Sequence, residues 1–459
     1  MIVKIGIRQF LRTWRVWLGI TVLAFVSTAL IALSVIQLNT ARTLSAEDGR
    51  AVFSLLYGQV AFVVVAAVIA AGGGSGFAIA ATRLDIARLQ LVGVTSFQAA
   101  AVVIVQVVCA GTFGALLGVL TALPFAQQVF EWTINFTSID HPVPIAVDVS
   151  TLTLVPIAIV FLMVIGAGRV ILRVGRTPIV QVMQGAQVDR VALFSLTRIA
   201  ILIVGGLVCT GLFIGVKGIQ VGFGGEIIEN DISTVLGLSV LFMLATLCLL
   251  SSVSAILIPT VCLAWARLIP ARCSFSWHLA RSGLMRRDGR SAATILPIAV
   301  TIGLPAGLMT IFLTVGGGMG GVSSSAVNVG GLAVLLGPAL LVSAVGASMI
   351  VFMGGAARKS RIILVRVMGG SRGLVIRTGL AESVVVVVTA TAIATILAIL
   401  VGLVAKMGFD PAMQVDLKVA VVPLVTVASL VWFLVAGINV LPVLLGREPM
   451  LADFFKGSE

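Results

Sequence analysis

Leu380 to Ala405 reads LAESVVVVVTATAIATILAILVGLVA, twenty-six residues with a single charge, Glu382. A hydrocarbon core of about 30 Å is crossed by roughly 20 residues of helix, so this run is long enough to span a bilayer. Its β-branched residues would also suit a strand. A membrane strand, however, alternates polar and apolar residues over about 10 positions, and no such alternation occurs here. The run therefore predicts a transmembrane helix.

Nine further runs of the same kind extend outward from it: Val16 to Leu38, Val52 to Thr82, Gln98 to Leu123, Thr151 to Leu172, Ile199 to Val216, Thr234 to Leu263, Ala292 to Val315, Gly330 to Ala357 and Val419 to Leu441. The whole chain of 459 residues is 59% hydrophobic and only 10% charged, against roughly 25% charge in soluble domains. The fold class expected is thus an all-α polytopic membrane protein with ten transmembrane helices. The first run exceeds a signal-peptide core and lacks a small-residue cleavage site, which predicts a retained anchor. Cys109, Cys209, Cys248, Cys262 and Cys273 show no pairing spacing, and neither a disulfide framework nor a metal site is expected.

Charge fixes the expected orientation. If the N-terminus is inside, 25 of the 30 Lys and Arg fall in inner segments and 5 in outer loops, while the acidic residues divide 6 inside, 10 outside and one, Glu382, within a span. That split is the positive-inside pattern with both termini cytoplasmic. The formal charge of +13 then needs no nucleic acid, because the anionic inner leaflet is partner enough. Met1 to Arg15 and Phe275 to Arg290 mix basic and apolar residues and read as interfacial helices that anchor on lipid.

The chain also repeats itself. A shift of 275 places Arg12 and Arg15 on Arg287 and Arg290. A shift of 276 places Leu91-Val-Gly-Val-Thr95 on Val367-Met-Gly-Gly-Ser371, Arg83 on Lys359 and Gln106 on Glu382. Gly175-Arg-Thr-Pro-Ile179 matches Gly446-Arg-Glu-Pro-Met450 at 271. Spans one to four and seven to ten are therefore two copies of one four-helix unit, and spans five and six are an insert. Four plus two being even, the copies enter the membrane in the same sense, as parallel repeats about an axis along its normal. The expected domains are residues 1–190, a two-helix linker 191–270, and 271–459.

Several candidate sites follow. The segments Arg83 to Gln98 and Arg358 to Arg377 combine charge with apolar residues such as Ile86, Leu89 and Val92, or Ile362, Val365 and Val367, and read as short surface helices able to dock in a partner's groove. Gln106 and Glu382 are intramembrane polar candidates. Glu382 lies five residues past Arg377, about 7 Å deep at 1.5 Å per residue, which favours a structural bond over proton or substrate binding. The glycines of Gly72-Gly-Gly-Ser-Gly76 have no Lys beside them and read as helix packing. No Gly-x-x-x-x-Gly-Lys-Ser/Thr occurs, so any ATP-binding P-loop must lie on another chain. His141 and His278 fall on opposite sides of the membrane, which leaves no two-His centre. Covalent enzyme chemistry is not expected.

The stretch Arg83-Leu-Asp-Ile-Ala-Arg-Leu-Gln-Leu-Val-Gly-Val-Thr-Ser-Phe-Gln98, the segment around Arg366-Val-Met-Gly-Gly-Ser-Arg372 and the Gly-Arg-x-Pro segments after each fourth span resemble the FtsX/MacB-type permeases of ABC transporters. The 4+2+4 layout is similar to the ten-helix bacitracin-exporter type. It departs from that type in the short Gly316 to Val329 loop, where the relatives carry a large extracellular domain. It departs again where Arg83 and Asp85 become Lys359 and Arg361. The resemblance implies a bacterial cell-membrane permease without its own cofactor, driven by a separate ATPase, two copies of it, that holds ATP and Mg²⁺. It places ATPase coupling on Arg83, Asp85, Arg88, Leu89, Gly93, Lys359, Arg361, Arg366, Val367, Gly369 and Arg372. Short outer loops favour a hydrophobic or amphipathic substrate, such as an antimicrobial peptide, a drug or a lipid. Mechanical signalling by an ATPase-coupled protein is the alternative, and an ion-coupled secondary transporter a more distant one.

Overall fold

The computed structural model describes residues 2–43, 46–134, 144–174, 196–219, 229–267, 274–284, 290–318, 329–367, 369–409 and 416–444. Among these there are eleven helices and no strand: α1 (Ile2–Ala41), α2 (Ala46–Leu91), α3 (Ser96–Ile134), α4 (Val149–Val174), α5 (Leu196–Ile219), α6 (Glu229–Ala266), α7 (Phe275–Leu284), α8 (Arg290–Gly318), α9 (Val329–Val367), α10 (Arg372–Lys406) and α11 (Val421–Leu444). All but α7 are long and apolar enough to cross a membrane, which makes ten. The chain is an all-α, multi-pass membrane protein.

Helices α1–α4 and α8–α11 pack alike. The most extensive contacts in the protein are α1 with α3 and, in the other half, α8 with α10. Small residues bring these backbones together, as they do where lipid gives no hydrophobic drive to association. A Cβ built on Gly118 of α3 would lie 2.9 Å from Thr28 Cβ of α1, and one built on Gly303 of α8 would lie 3.7 Å from Ala394 Cβ of α10. Thr28 and Gly303 are counterparts at offset 275, and Gly118 and Ala394 at offset 276. The same crossing is thus made twice, with the small partner moved from one helix to the other.

The halves meet through α2 and α9, flanked by α1 against α9 and α2 against α8. Gly346 of α9 sits on Ala70 of α2, where an added Cβ would be 2.5 Å from Ala70 Cβ. These two are each other's counterpart at offset 276, and a residue touching its own equivalent is the mark of an isologous two-fold contact. The insert breaks this symmetry. Helix α6 lies on α8 and α10, while α5 packs mainly on α6.

Helix α1 departs from helical geometry at Thr13 (φ −109°, ψ 20°), and before that point Val3, Ile7 and Leu11, one face of the helix, are exposed together with Trp14 just after it. In the second half the corresponding stretch forms a separate helix, α7, packed on α10.

Two expectations need correction. Leu123 does not end the third span: α3 continues through Pro124 to Ile134. Prolines also lie inside α4, α6, α8 and α9, because within a bundle neighbouring groups and local adjustments accommodate the missing hydrogen bond. Nor is Arg83 to Gln98 a separate surface helix. Helix α2 runs unbroken for 46 residues, about 69 Å at 1.5 Å per residue, and carries Arg83 to Leu91 as its final turns. Residues 358–367 likewise complete α9.

Candidate functional site: the paired helix tips

Both long helices are followed by a left-handed glycine. At the end of α2 the amide of Gly93 donates to the Gln90 carbonyl (3.0 Å) and that of Val94 to the Leu89 carbonyl (3.2 Å), the pair of bonds that closes a helix when the residue past its cap turns left-handed. Gly93 has φ +98°. Nothing lies within 4 Å of the Cβ it lacks, so glycine is needed for its backbone and not for space. Its counterpart Gly369 has φ +87° in equally open surroundings.

Each following helix begins on a hydroxyl. Thr95 Oγ1 accepts from the Gln98 amide (3.3 Å) and Gln98 Oε1 accepts from the Thr95 amide (3.0 Å), a reciprocal capping box. Ser371, the counterpart of Thr95, accepts from the Leu374 amide (3.3 Å), and with Leu374 in place of Gln98 the return bond is lost. Two remote segments matched by sequence alone thus share a φ > 0 glycine and a hydroxyl cap.

The tips differ in what they show. At the first, Val92 is 85% and Phe97 84% exposed, beside exposed Leu91. Asp85 and Arg88 pair at 3.7 Å with Arg88 largely in solvent and Asp85 about half exposed, a contact worth about 0–1 kcal/mol. Leu89 is half-buried. Ile86, expected among the docking residues, is buried within the protein and cannot serve a partner. At the second tip the position of Phe97 is held by Gly373, and that of Ser96 by Arg372, so Phe97 has no aromatic counterpart there. Arg83 falls on α2, and Lys359, Arg361, Arg366 and Val367 fall on α9; the side chains of these five lie outside the described residues, as do both Gly-Arg-x-Pro segments and His141.

The sequence pointed to this turn but missed Leu91 and Phe97 as its exposed apolar members. Both flank the Gly-x-Thr turn, and an apolar residue beside such a turn was the available signal.

The intramembrane candidates are not brought together, since Gln106 is on α3 and Glu382 on α10, in opposite halves. Gln106 is fully buried and neither end of its amide has a hydrogen-bond partner. Glu382 is half-buried, next to Ser383, whose hydroxyl accepts from Asn439 Nδ2 of α11 at 2.8 Å. The glycine run serves packing: a Cβ on Gly72 would be 3.1 Å from the Gly166 carbonyl oxygen of α4. No family model matches the chain, and no curated protein matches it.

Proposed function

We propose that the chain is the permease subunit of an ABC transporter of the bacterial cell membrane, with both termini cytoplasmic, driven by a separate ATPase that docks as two copies on the α2–α3 and α9–α10 tips. The observation that carries this reading is the pair of tips, which share a left-handed glycine and a hydroxyl cap, on long helices that meet each other across the pseudo-two-fold contact at Ala70 and Gly346. A two-fold partner gripping both tips would apply force directly to that contact. Exposed Leu91, Val92 and Phe97 supply apolar surface for a groove in such a partner. ATP and Mg²⁺ belong to the partner. The cargo proposed is a hydrophobic or amphipathic compound, an antimicrobial peptide, drug or lipid, taken from the bilayer.

The test is co-purification of the full chain with an ATPase encoded beside it, followed by ATP hydrolysis in nanodiscs against peptides and lipids. Stimulated hydrolysis that Val92→Asp abolishes supports the reading. Hydrolysis indifferent to the chain and its tip variants overturns it.

A further inference from the structure

The two α1–α3-type seams of this molecule are built alike but covered differently. In the second half, α6 lies along the seam between α8 and α10. A Cβ on Gly307 of α8 would meet Met243 Sδ of α6 at 2.8 Å, and Trp265 Nε1 of α6 donates to Thr389 Oγ1 of α10 at 3.0 Å. Under this cover Thr389 is 0% and Ile393 3% exposed. Their counterparts on α3, Phe113 and Leu117, are 61% and 40% exposed, and Leu116 beside them 60%.

The other wall of the seam repeats the contrast. On α1, Val22, Phe25, Val26 and Ala29 form a half-exposed stripe. At offset 275 their places on α8 are taken by Pro297, Val300, Thr301 and Leu304, all buried. Among the described residues nothing covers the α1–α3 seam, because the chain has one insert for two equivalent seats.

We infer that the α1–α3 seam is a docking site for a transmembrane helix of a second, separate membrane polypeptide, seated as α6 is seated on α8 and α10. The occupant is specified by the filled twin. Helix α6 runs antiparallel to α10, since Val235 near its start reaches Gly408 at the end of α10 while Trp265 near its end reaches Thr389. The partner helix therefore runs antiparallel to α3. It is apolar for at least about 18 residues, because Phe113, Leu116 and Leu117 offer it no polar partner. Close packing, not hydrogen bonding, holds it. A second copy of this chain could not seat its least packed span, α5, in this way, because α5 runs in the same sense as α3 and would enter the seam parallel to it.

The experiment uses the full chain in its own cell membranes, with photoreactive benzoylphenylalanine replacing Phe113 or Leu117, and Phe161 on the exposed face of α4 as the control position. The expected result is one adduct of defined mass at both seam positions and none at the control, with the cross-linked peptide being an apolar segment long enough to span. The captured protein, purified and reconstituted with the chain in phosphatidylethanolamine–phosphatidylglycerol nanodiscs, should give the same adduct. Leu116→Trp, which fills the seam from a lipid-exposed position without touching the core, should lower its yield about tenfold, near 1.4 kcal/mol. Adducts with lipid only, with a second copy of the chain, with a soluble protein or equally at Phe161 overturn the inference. So does a reconstituted pair that fails to cross-link.

Discussion

Gly114 sits where the α1 and α3 backbones meet with no room for a side chain, and Gly114→Ala tests the account of helix packing directly. A Cβ there would lie 2.9 Å from Ala24 Cβ and 3.0 Å from the Phe25 amide nitrogen, and closer still to the Thr21 carbonyl oxygen. Carbon atoms in contact rest about 3.5–4.0 Å apart, so α1 and α3 would have to part by roughly 1 Å. Two of the three obstructing groups are backbone, which cannot swing aside as a side chain would. Overpacking of this kind costs about 1–3 kcal/mol, offset by about 0.5–1 kcal/mol from replacing a helical glycine. The expected net loss is roughly 1–2 kcal/mol, about 5–30-fold in the folding equilibrium. Gly168→Ala on α4 is the control, because nothing lies within 4 Å of its Cβ and only the favourable term remains. The two alanines should therefore move stability in opposite directions. Denaturant or thermal unfolding of the purified protein in nanodiscs reads the difference. Equal stability of the two variants would refute the close-approach argument.

Further outcomes follow from the tips and the far end of the bundle. Val92→Asp and Phe97→Asp should leave unfolding within about 0.5 kcal/mol of the parent, being exposed, while weakening ATPase binding in a pull-down; unchanged binding by both would remove the tip from the interface. Gly93→Ala and Gly369→Ala should each cost about 1 kcal/mol, since an L-residue pays for the left-handed region, and the double variant should show the sum in thermal unfolding because nothing lies within 4 Å of either added Cβ to couple the two turns. At the start of α4 the Asp148 carboxylate accepts from the Ser150 hydroxyl (2.5 Å) and amide (3.3 Å), and these bonds hold its pKa below the usual value. Its cap is thus present at neutral pH and fades as pH falls through that lowered pKa, below about 3.9. Amide exchange at Thr151 should quicken there in the parent but not in Asp148→Asn.

The sequence carried the number of spans and their class, because a run such as Leu380 to Ala405 leaves no other way to satisfy its backbone in lipid. It also carried the repeat down to single residues. Gly93 and Gly369 share a positive φ, and Thr95 and Ser371 share a cap, because backbone conformation restricts which side chains a position can hold. What faces what was not legible. In water an apolar stripe marks the buried side of a helix, but in a membrane helix lipid-facing and protein-facing sides are equally apolar. Nothing in the residue types distinguishes exposed Phe113 from buried Phe62, or assigns α6 to α8 and α10. Ile86 was misread for the same reason, since its burial depends on how α2 is rotated where it leaves the bundle. Pro124 lies just past the expected end of the third run, and a proline that ends a helix in solution is tolerated inside a membrane helix whose surroundings satisfy the freed backbone groups.

These two kinds of information separate along a physical line. A duplicated chain must keep residues that its backbone geometry requires, and here the turn glycines, the hydroxyl caps and the small residues at the α1–α3 and α8–α10 crossings are kept or exchanged for equally small ones. Side chains pointing away from the repeat are under no such constraint. Phe97 has become Gly373, Gln98 has become Leu374, and Phe113 has become Thr389, a position now claimed by Trp265 of the insert. The halves are thus symmetric where they hold each other and asymmetric where they meet anything else. A partner with exact two-fold symmetry gripping both tips would meet Phe97 and Gln98 on one side and Gly373 and Leu374 on the other, so an equal load on the two halves would require that partner, and not this chain, to compensate for the difference.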